Sequence, residues 1–325
     1  MEKYISLDQG GGGKASWELV EELRRILKFK GSWKNISDDG AVFNWGREKL
    51  VFTTDSFIIE PIFFPGGDIG KIAACGTIND VAVMGAKPIG ISLAMVIEEG
   101  FLMEDLKKII RSINRVSKEA GVPVVTGDTK VSNKGKLDKI EITTAGVGLA
   151  KEIIPNNGLR AGDLIVASGA LGDHGALILA KRFNYKTSLR TDSQPLVKEI
   201  QTLKKYLSAV KDPTRGGVAA NIVEMAEKSK VRIILEEEKM PFKKEVLAIS
   251  NLLGIDPFAL PSEGRFIAGV KKEYAKKTVK ILKRFNRQAC IIGRAERGKG
   301  VFLKTRIGSY REITMPEGKL IPRIC

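Results

Sequence analysis

The sequence predicts a mixed α/β protein of two domains, and three observations carry that expectation. The chain has 325 residues, enough for two hydrophobic cores at the usual domain size. Hydrophobic residues make up 43% of it, so each half has the material for a core. Strand-like and helix-like periods alternate up to residue 150, break over Ile153-Ile154-Pro155-Asn156-Asn157-Gly158, and then alternate again. The expected division is 1–150, then 151–314, then a tail over 315–325.

Within the first half, Trp17, Leu19, Val20, Leu23, Ile26 and Leu27 recur at helical spacing and predict an amphipathic helix over 15–29. Strands are expected over 41–43 and 50–54. Asp68, after Gly66-Gly67, is placed to cap a helix running to about residue 84. The apolar run 89–97 reads as a strand. Residues 104–119 read as a helix that Gly121 ends, followed by strands over 122–126 and 140–149. In the second half the pattern gives a strand over 163–167, helices over 174–183 and 215–227, and strands over 231–235 and 266–270. A helix over 273–285 and strands over 289–292 and 301–304 complete it. Two α/β halves of similar size place a site in the cleft between them.

Composition removes several function classes. Lysine and arginine total 54 against 38 acids, a formal charge of +16. The lysines are spread through helix-like stretches and mixed with acids, as in Lys271-Lys272-Glu273-Tyr274-Ala275-Lys276-Lys277, and aromatics are only 6%. That describes a solvated surface or one facing an acidic protein, and argues against nucleic acid. No apolar run is long enough to cross a membrane, and Met1-Glu2-Lys3-Tyr4-Ile5-Ser6 lacks the layout of a secretion signal, so a cytoplasmic location is expected. Three widely spaced cysteines, Cys75, Cys290 and Cys325, make a poor disulfide framework and fit a reducing compartment. Cys75 and Cys290 sit in apolar surroundings and read as buried small hydrophobes. No CxxC or His/Cys ligand cluster is present.

Four aspartates of the first half share a setting at tight turns or strand ends: Asp39, Asp55, Asp80 and Asp128. Hard oxygen ligands without histidine or cysteine suit magnesium, and magnesium suits a nucleotide phosphate. The alternative at each position is an ordinary turn aspartate. The run Gly10-Gly11-Gly12-Gly13-Lys14 lets backbone N–H groups approach an anion ahead of a helix, or is a loose leader. It is not a Walker A loop, because Asp8 and Ala15 stand where a glycine and a hydroxyl residue belong. Asp212-Pro213-Thr214-Arg215-Gly216-Gly217 makes a second anion cradle or a plain helix start. His174, the one histidine, reads first as a capping or packing residue. Glu263, between apolar stretches, becomes a proton acceptor if buried.

The chain closes with Pro322-Arg323-Ile324-Cys325. A cysteine at a chain end has few neighbours and frays, so its thiol is free to be presented. Met315-Pro316-Glu317-Gly318 leads into it without a sustained period. From Pro316 to Cys325 the extended reach is roughly 30 Å. The tail reads as a flexible arm carrying a reactive sulfur.

Together these pieces resemble the HypE family of hydrogenase maturation factors, within the ATP-using superfamily typified by aminoimidazole ribonucleotide synthetase. The resemblance spans nearly the whole chain. It rests on Thr54-Asp55-Ser56, Phe63-Phe64-Pro65-Gly66-Gly67-Asp68, Cys75-Gly76-Thr77-Ile78-Asn79-Asp80, Thr126-Gly127-Asp128-Thr129-Lys130, Gly172-Asp173-His174-Gly175, Asp212-Pro213-Thr214-Arg215-Gly216-Gly217 and the cysteine-ended tail. The glycine run lacks the family's His-Gly lead-in. Pro261-Ser262-Glu263-Gly264 stands where Ala-Asn-Glu-Gly is common, with the glutamate and glycine kept.

The resemblance implies a PurM-like architecture: an N-terminal domain that binds ATP and dimerises through a β-barrel, and a C-terminal α/β domain. It implies an ATP-dependent carbamoyl dehydratase. A HypF-type partner carbamoylates Cys325, ATP activates the amide oxygen, and a thiocyanate remains that a HypC–HypD-type complex receives as cyanide for the iron of nickel–iron hydrogenase. Magnesium falls to Asp39, Asp55, Asp80 and Asp128. The nucleotide falls to Gly12, Gly13, Asn79, Asp55, Asp80, Asp128, Thr214, Arg215 and Gly216. Lys130 and Glu263 are implied to handle protons at Cys325. A thiol beside the chain's own carboxylate ionises reluctantly, and Arg323 and Lys130 are expected to offset this once the arm docks. Two other classes keep part of the pattern: a thiamine monophosphate kinase or selenophosphate synthetase, which needs no cysteine-ended arm, and a non-enzymatic thiol carrier, which needs no aspartates.

Overall fold

The structure is a computed structural model that describes residues 4–27, 31–317 and 323–325. Pro322, the middle of the tail and the last residues of the expected first helix lie outside the described residues. The first half begins with α1 (Lys14–Ile26) and β1 (Ala41–Trp45). It continues through β2 (Glu48–Phe57), a short ribbon of β3 (Phe63–Phe64) and β4 (Gly67–Asp68), and α2 (Ile69–Val83). Then come β5 (Lys87–Glu98), α3 (Met103–Ala120), β6 (Val124–Ser132) and β7 (Ile140–Ala150). Five strands form one sheet in the order β1-β2-β7-β5-β6. Its pairs are antiparallel except β5 with β6, which run parallel because α3 carries the chain back between them.

The helix α2 is the spine of this half. Asp68 caps it, its Oδ1 accepting from Lys71 N at 2.9 Å. Its residues from Ile69 to Val83 are buried almost without exception. A helix apolar on every side is one covered on every side. The sheet covers one flank, α3 a second, and the C-terminal half a third. Gly70 permits the contact with α3, since a Cβ there would stand 2.6 Å from Ile109 O. Along β7, buried and half-buried residues alternate through all eleven positions. Thus one face packs on α2 and the other looks outward. The strand β6 differs: it is exposed along nearly its whole length.

The second half holds β8 (Asp163–Ala167), α4 (Asp173–Arg182), α5 (Val197–Leu203), β9 (Leu207–Lys211) and α6 (Gly217–Ser229). It continues with β10 (Arg232–Glu236), α7 (Lys244–Leu253), β11 (Ile267–Lys271) and α8 (Lys272–Leu282), and ends in β12 (Cys290–Glu296), β13 (Val301–Lys304) and β14 (Tyr310–Ile313). Seven strands form a second sheet, ordered β14-β13-β10-β12-β8-β11-β9. Sequence periodicity does not reveal α5, β9, α7 or β14. Three are short, and Leu-Ser-Ala-Val-Lys in β9 carries no clear period; all four are fixed by the neighbours they pack on.

The two halves share a core. Phe57, Ile69 and Ile142 from the first lie in one apolar cluster with Leu177, Leu189 and Leu260 from the second. Asn79 locks the junction. It is fully buried, donates to Gln194 O at 3.0 Å and accepts from Leu196 N at 2.8 Å. Cys75 is buried in α2 as expected, whereas Cys290 is only half-buried at the start of β12.

Candidate active site

A pocket of about 650 Å³ opens where the halves meet. Period-2 geometry in β2 puts Thr53, Asp55 and Phe57 on the face toward α2. Opposite them Thr77 and Asp80, three apart on α2, share one helix face. The two elements are stitched across the gap: Thr77 Oγ1 donates to Asp55 Oδ2 at 2.9 Å, and Thr53 Oγ1 to Asp80 Oδ2 at 3.0 Å. Asp39 enters from the turn before β1 and forms an ion pair with Lys211 at the end of β9. Lys211 also meets Glu224 of α6 at 3.4 Å, and Lys228, one turn on, pairs with Glu224 at 2.7 Å and with Asp38 at 3.1 Å.

This is a carboxylate-rich enclosure. Burial raises the pKa of Asp39, Asp55 and Asp80, and for Asp80 the neighbouring Asp55, Asp212 and Asp39 add to it. Asp212 is pushed up to about 8 by burial and by Asp39. Burial works against the charge of Lys211, but Asp39 and Glu224 outweigh it and raise its pKa. Asp39 Oδ2 is buried with no hydrogen-bond partner. So many carboxyl oxygens facing one cavity hold either shared protons or a cation. Among the described residues no group of three or more His, Cys, Asp or Glu forms a ready-made metal cage. A small hard cation that takes most of its ligands from phosphate oxygens and water needs no such cage, and the orphaned Asp39 oxygen and hard donor set fit it.

The roof comes from two glycine-bearing turns in contact. Gly12 has φ +82°, and a Cβ on it would stand 2.8 Å from Arg215 C and from Gly216 N. Only glycine suits both the conformation and the contact. Gly12, Gly13, Thr214 and Arg215 line the pocket, with the first turn of α6 directly behind. Gly216 is the residue before that helix and lies against Gly13 rather than lining the cavity.

The far wall is chemically distinct. Glu263 is 2% exposed, and its Oε1 has no hydrogen-bond partner. Burial, then Asp192, Asp212 and Asp55, raise its pKa well above the usual carboxylate range. Its backbone N donates to Asp192 Oδ1 at 3.0 Å. Cys325 lines the same pocket. Burial and Glu263 push its thiol up to about 12, with Arg215 acting the other way.

The tip of the tail is therefore seated, where the sequence suggests a fraying end. Ile59 and Ile324 form an antiparallel bridge, flanked by Ile58 N to Cys325 O at 3.1 Å and Glu60 N to Arg323 O at 3.2 Å. Ile324 is 2% exposed within the shared core. Such packing replaces the neighbours that a chain end normally lacks.

Several expected site residues lie elsewhere. Asp128 and Lys130 sit on β6, pair with each other at 3.7 Å, and have side chains 68% and 75% exposed. Neither lines the pocket, because β6 is the sheet edge farthest from β2. Asn79 braces the interdomain junction instead of facing the cavity. Arg323 points away from the sulfur, to Glu60 and Asp138, so Arg215 is the guanidinium that acts on the thiol. Lys14 pairs with Glu317 at 2.8 Å in an exposed position. Sequence reasoning missed Lys211 and Glu224 as wall residues and His174 as a contact of the tail. Asp212 was legible, since it opens the glycine-arginine turn already singled out.

Comparison with known proteins fits this arrangement. The AIR synthase related protein N-terminal domain matches residues 37–150, and the corresponding C-terminal domain matches 160–306. A carbamoyl dehydratase HypE from Rhizobium leguminosarum is 37% identical over 333 residues, covering 99% of this chain and 95% of that protein. This chain belongs to the HypE family. Another relative, a putative hydrogenase expression/formation protein of Methanocaldococcus jannaschii, is 43% identical over 338 residues, with 99% of each chain covered. Among solved structures, a HypE–HypF complex superposes with a TM-score of 0.86 at 39% identity, covering 92% of this chain and 99% of that one. A HypE in complex with ATP gives 0.82 at 34% identity, covering 99% and 100%. A thiamine monophosphate kinase from Aquifex aeolicus gives 0.68 at 22% identity over 88% and 96%, a likeness of fold alone. The PurM-like, mixed α/β architecture expected from the sequence is the one HypE proteins share.

Proposed function

We propose that the protein is an ATP-dependent dehydratase that converts an S-carbamoyl group on Cys325 into a thiocyanate. One observation carries the reading: Cys325 and the unpartnered, buried Glu263 line the same cavity as Asp39, Asp55, Asp80 and the glycine-bearing roof. A thiol carrier has no use for that enclosure, and a kinase of this fold has no use for a seated thiol.

The chemistry follows from the walls. The carboxamide oxygen is a poor leaving group until phosphorylated. Gly12, Gly13, Thr214 and Arg215, with the start of α6, supply N–H groups and positive charge for the nucleotide phosphates. Magnesium, when bound by Asp39, Asp55 and Asp80, would neutralise phosphate charge. The amide oxygen attacks the γ-phosphorus, and the bond to ADP breaks. The carbon–oxygen bond then breaks, phosphate departs with the oxygen, and the nitrogen loses both protons to leave S–C≡N. Glu263 takes one proton, its raised pKa strengthening its hold on that proton, and the second leaves with phosphate or solvent. No redox partner is needed.

Asp128 and Lys130 enter this scheme from a second copy of the chain. The open edge of β6, with Val125 63% and Val131 70% exposed, suits a homodimer in which strands of both N-terminal halves close a barrel. A HypF-type carbamoyltransferase loads Cys325, and a HypC–HypD-type complex accepts the cyanide for hydrogenase iron. No helix is long and apolar enough to cross a membrane among the described residues.

Intact-protein mass spectrometry after incubation with carbamoyl phosphate, ATP and a HypF-type partner tests the proposal. The expected record is a carbamoyl gain on Cys325 followed by loss of one water. An adduct on Cys75 or Cys290, or a carbamoyl group that survives ATP, overturns it.

A further inference from the structure

We propose that His174 is a positioning residue that holds the tail in its seat through the carbonyl of Ile324. This rests on the reading of Cys325 as the carrier of the reacting group. His174 stands in the first turn of α4 and is fully buried. Its Nε2 lies 2.9 Å from Ile324 O, and its Nδ1 lies 2.9 Å from Thr191 Oγ1.

The proton positions follow from chemistry. A carbonyl oxygen only accepts, so Nε2 carries the hydrogen and donates. The neutral Nδ1 then accepts from the Thr191 hydroxyl, whose oxygen in turn accepts from Ser193 N at 3.1 Å. The chain Ser193 to Thr191 to His174 to Ile324 runs in one direction with every donor used. Burial, which lowers the pKa of His174, keeps the ring neutral as this requires. The edge-on contact with Phe64, ring centres 5.4 Å apart, fixes the plane of the imidazole.

The other tail contacts differ in kind. Ile58 and Glu60 form backbone bonds at the rim. Arg182 donates to Arg323 O. Arg323 pairs with half-buried Glu60 and exposed Asp138, and pairs open to solvent hold weakly. The His174 bond is enclosed, where losing a partner strands a buried polar atom. All these hydrogen bonds engage the backbone of residues 323–325 and none engages the sulfur. No hydrogen bond of the seat is therefore lost when the sulfur carries carbamoyl or nitrile in place of hydrogen.

The test uses the full chain and iodoacetamide, following alkylation of Cys325 by peptide mapping with Cys290 as the internal reference. His174→Leu keeps the volume and removes the donor. Thr191→Val removes the hydroxyl that orients the ring and keeps the question open should His174→Leu not fold. Cys325 is expected to react about tenfold faster in His174→Leu, the factor that one buried hydrogen bond supplies, and severalfold faster in Thr191→Val. His174→Gln, which returns an N–H near the Nε2 position, restores protection. Cys290 reacts at one rate throughout. Equal Cys325 rates in wild type, His174→Leu and Thr191→Val overturn the proposal.

Because alkylation needs neither ATP nor carbamoyl groups, it judges the seat even if the dehydratase reading fails. On protein already carbamoylated, single-turnover nitrile formation is expected to fall about tenfold in His174→Leu and to recover in His174→Gln, with ATP affinity unchanged. Wild-type turnover with no loss in His174→Leu defeats the positioning role alone.

Discussion

Asp55 and Asp128 lie in strands of one sheet, and each precedes a hydroxyl residue, yet their surroundings are opposite. Asp55 faces α2, accepts from Thr77 and is held against Asp80. Asp128 stands on an open edge beside Lys130 with its side chain mostly exposed. A strand aspartate gains an unusual affinity for protons or cations only where other elements close over it, and between these two strands that cover lies over β2 and not over β6. The β6 side has the residues without the enclosure. In the homodimer proposed above, a second copy of the chain would cover that exposed edge.

The largest expected effect tests the finished side. Glu263→Gln keeps the size of the side chain and removes the base. Nitrile formation is expected to fall about 10²–10⁴-fold with ATP still bound, as rapid-quench and binding measurements would show. Retained turnover would mean that the enclosed wall is not where the proton goes.

The next test asks whether the open edge is completed by a second copy. Asp55→Asn and Asp128→Asn are each expected to lower ATP-dependent turnover by about a hundredfold, the range for losing one electrostatic contact to a transferring phosphoryl group. Mixed and allowed to exchange subunits, the two variants should regain about a quarter of wild-type turnover, since half of the dimers are mixed and each holds one intact site. No recovery despite demonstrated exchange would place both aspartates in one chain's site and dissolve the contrast.

A smaller effect is the pH profile. A base must be ionised to act, so single-turnover nitrile formation should rise with pH through the raised pKa of Glu263, then level. The smallest effect is on stability. Between the unfolded carboxylate range and about 8, folded Asp212 keeps a proton that the unfolded chain releases. Stability of the nucleotide-free protein therefore falls as pH rises through that window. Asp212→Asn should raise the melting temperature at pH 8 by about 2–4 °C, read by calorimetry, and should do little at pH 4.

Much of this architecture was legible in the residues themselves. The cap at Asp68, the apolar period of β7 and the helix stop at Gly121 depend on neighbours close in sequence, and the structure keeps each of them. Elements set by distant packing were not legible, as β9 and α5 show. The same division holds at the site. Asp39 and Glu263 announced themselves through a turn and an apolar setting and Cys325 through its place at the chain end, whereas Asp55 falls inside β2 and Asp80 inside α2 rather than at the strand end and turn expected. Lys211 and Glu224 look like ordinary surface charges until β9 carries Lys211 to Asp39 and α6 brings Glu224 to Lys211. Nor could a sequence separate Asp55 from Asp128, or show that Asn79 faces the junction rather than the cavity.

The two-residue bridge between Ile59 and Ile324 carries a consequence for how this chain tolerates change. Extended backbone alternates its faces, so sliding the final segment by a single position would trade the aliphatic peg for the sulfur and point the thiol into hydrocarbon. The last two side chains are keyed to their slots in fixed order, like the teeth of a latchkey.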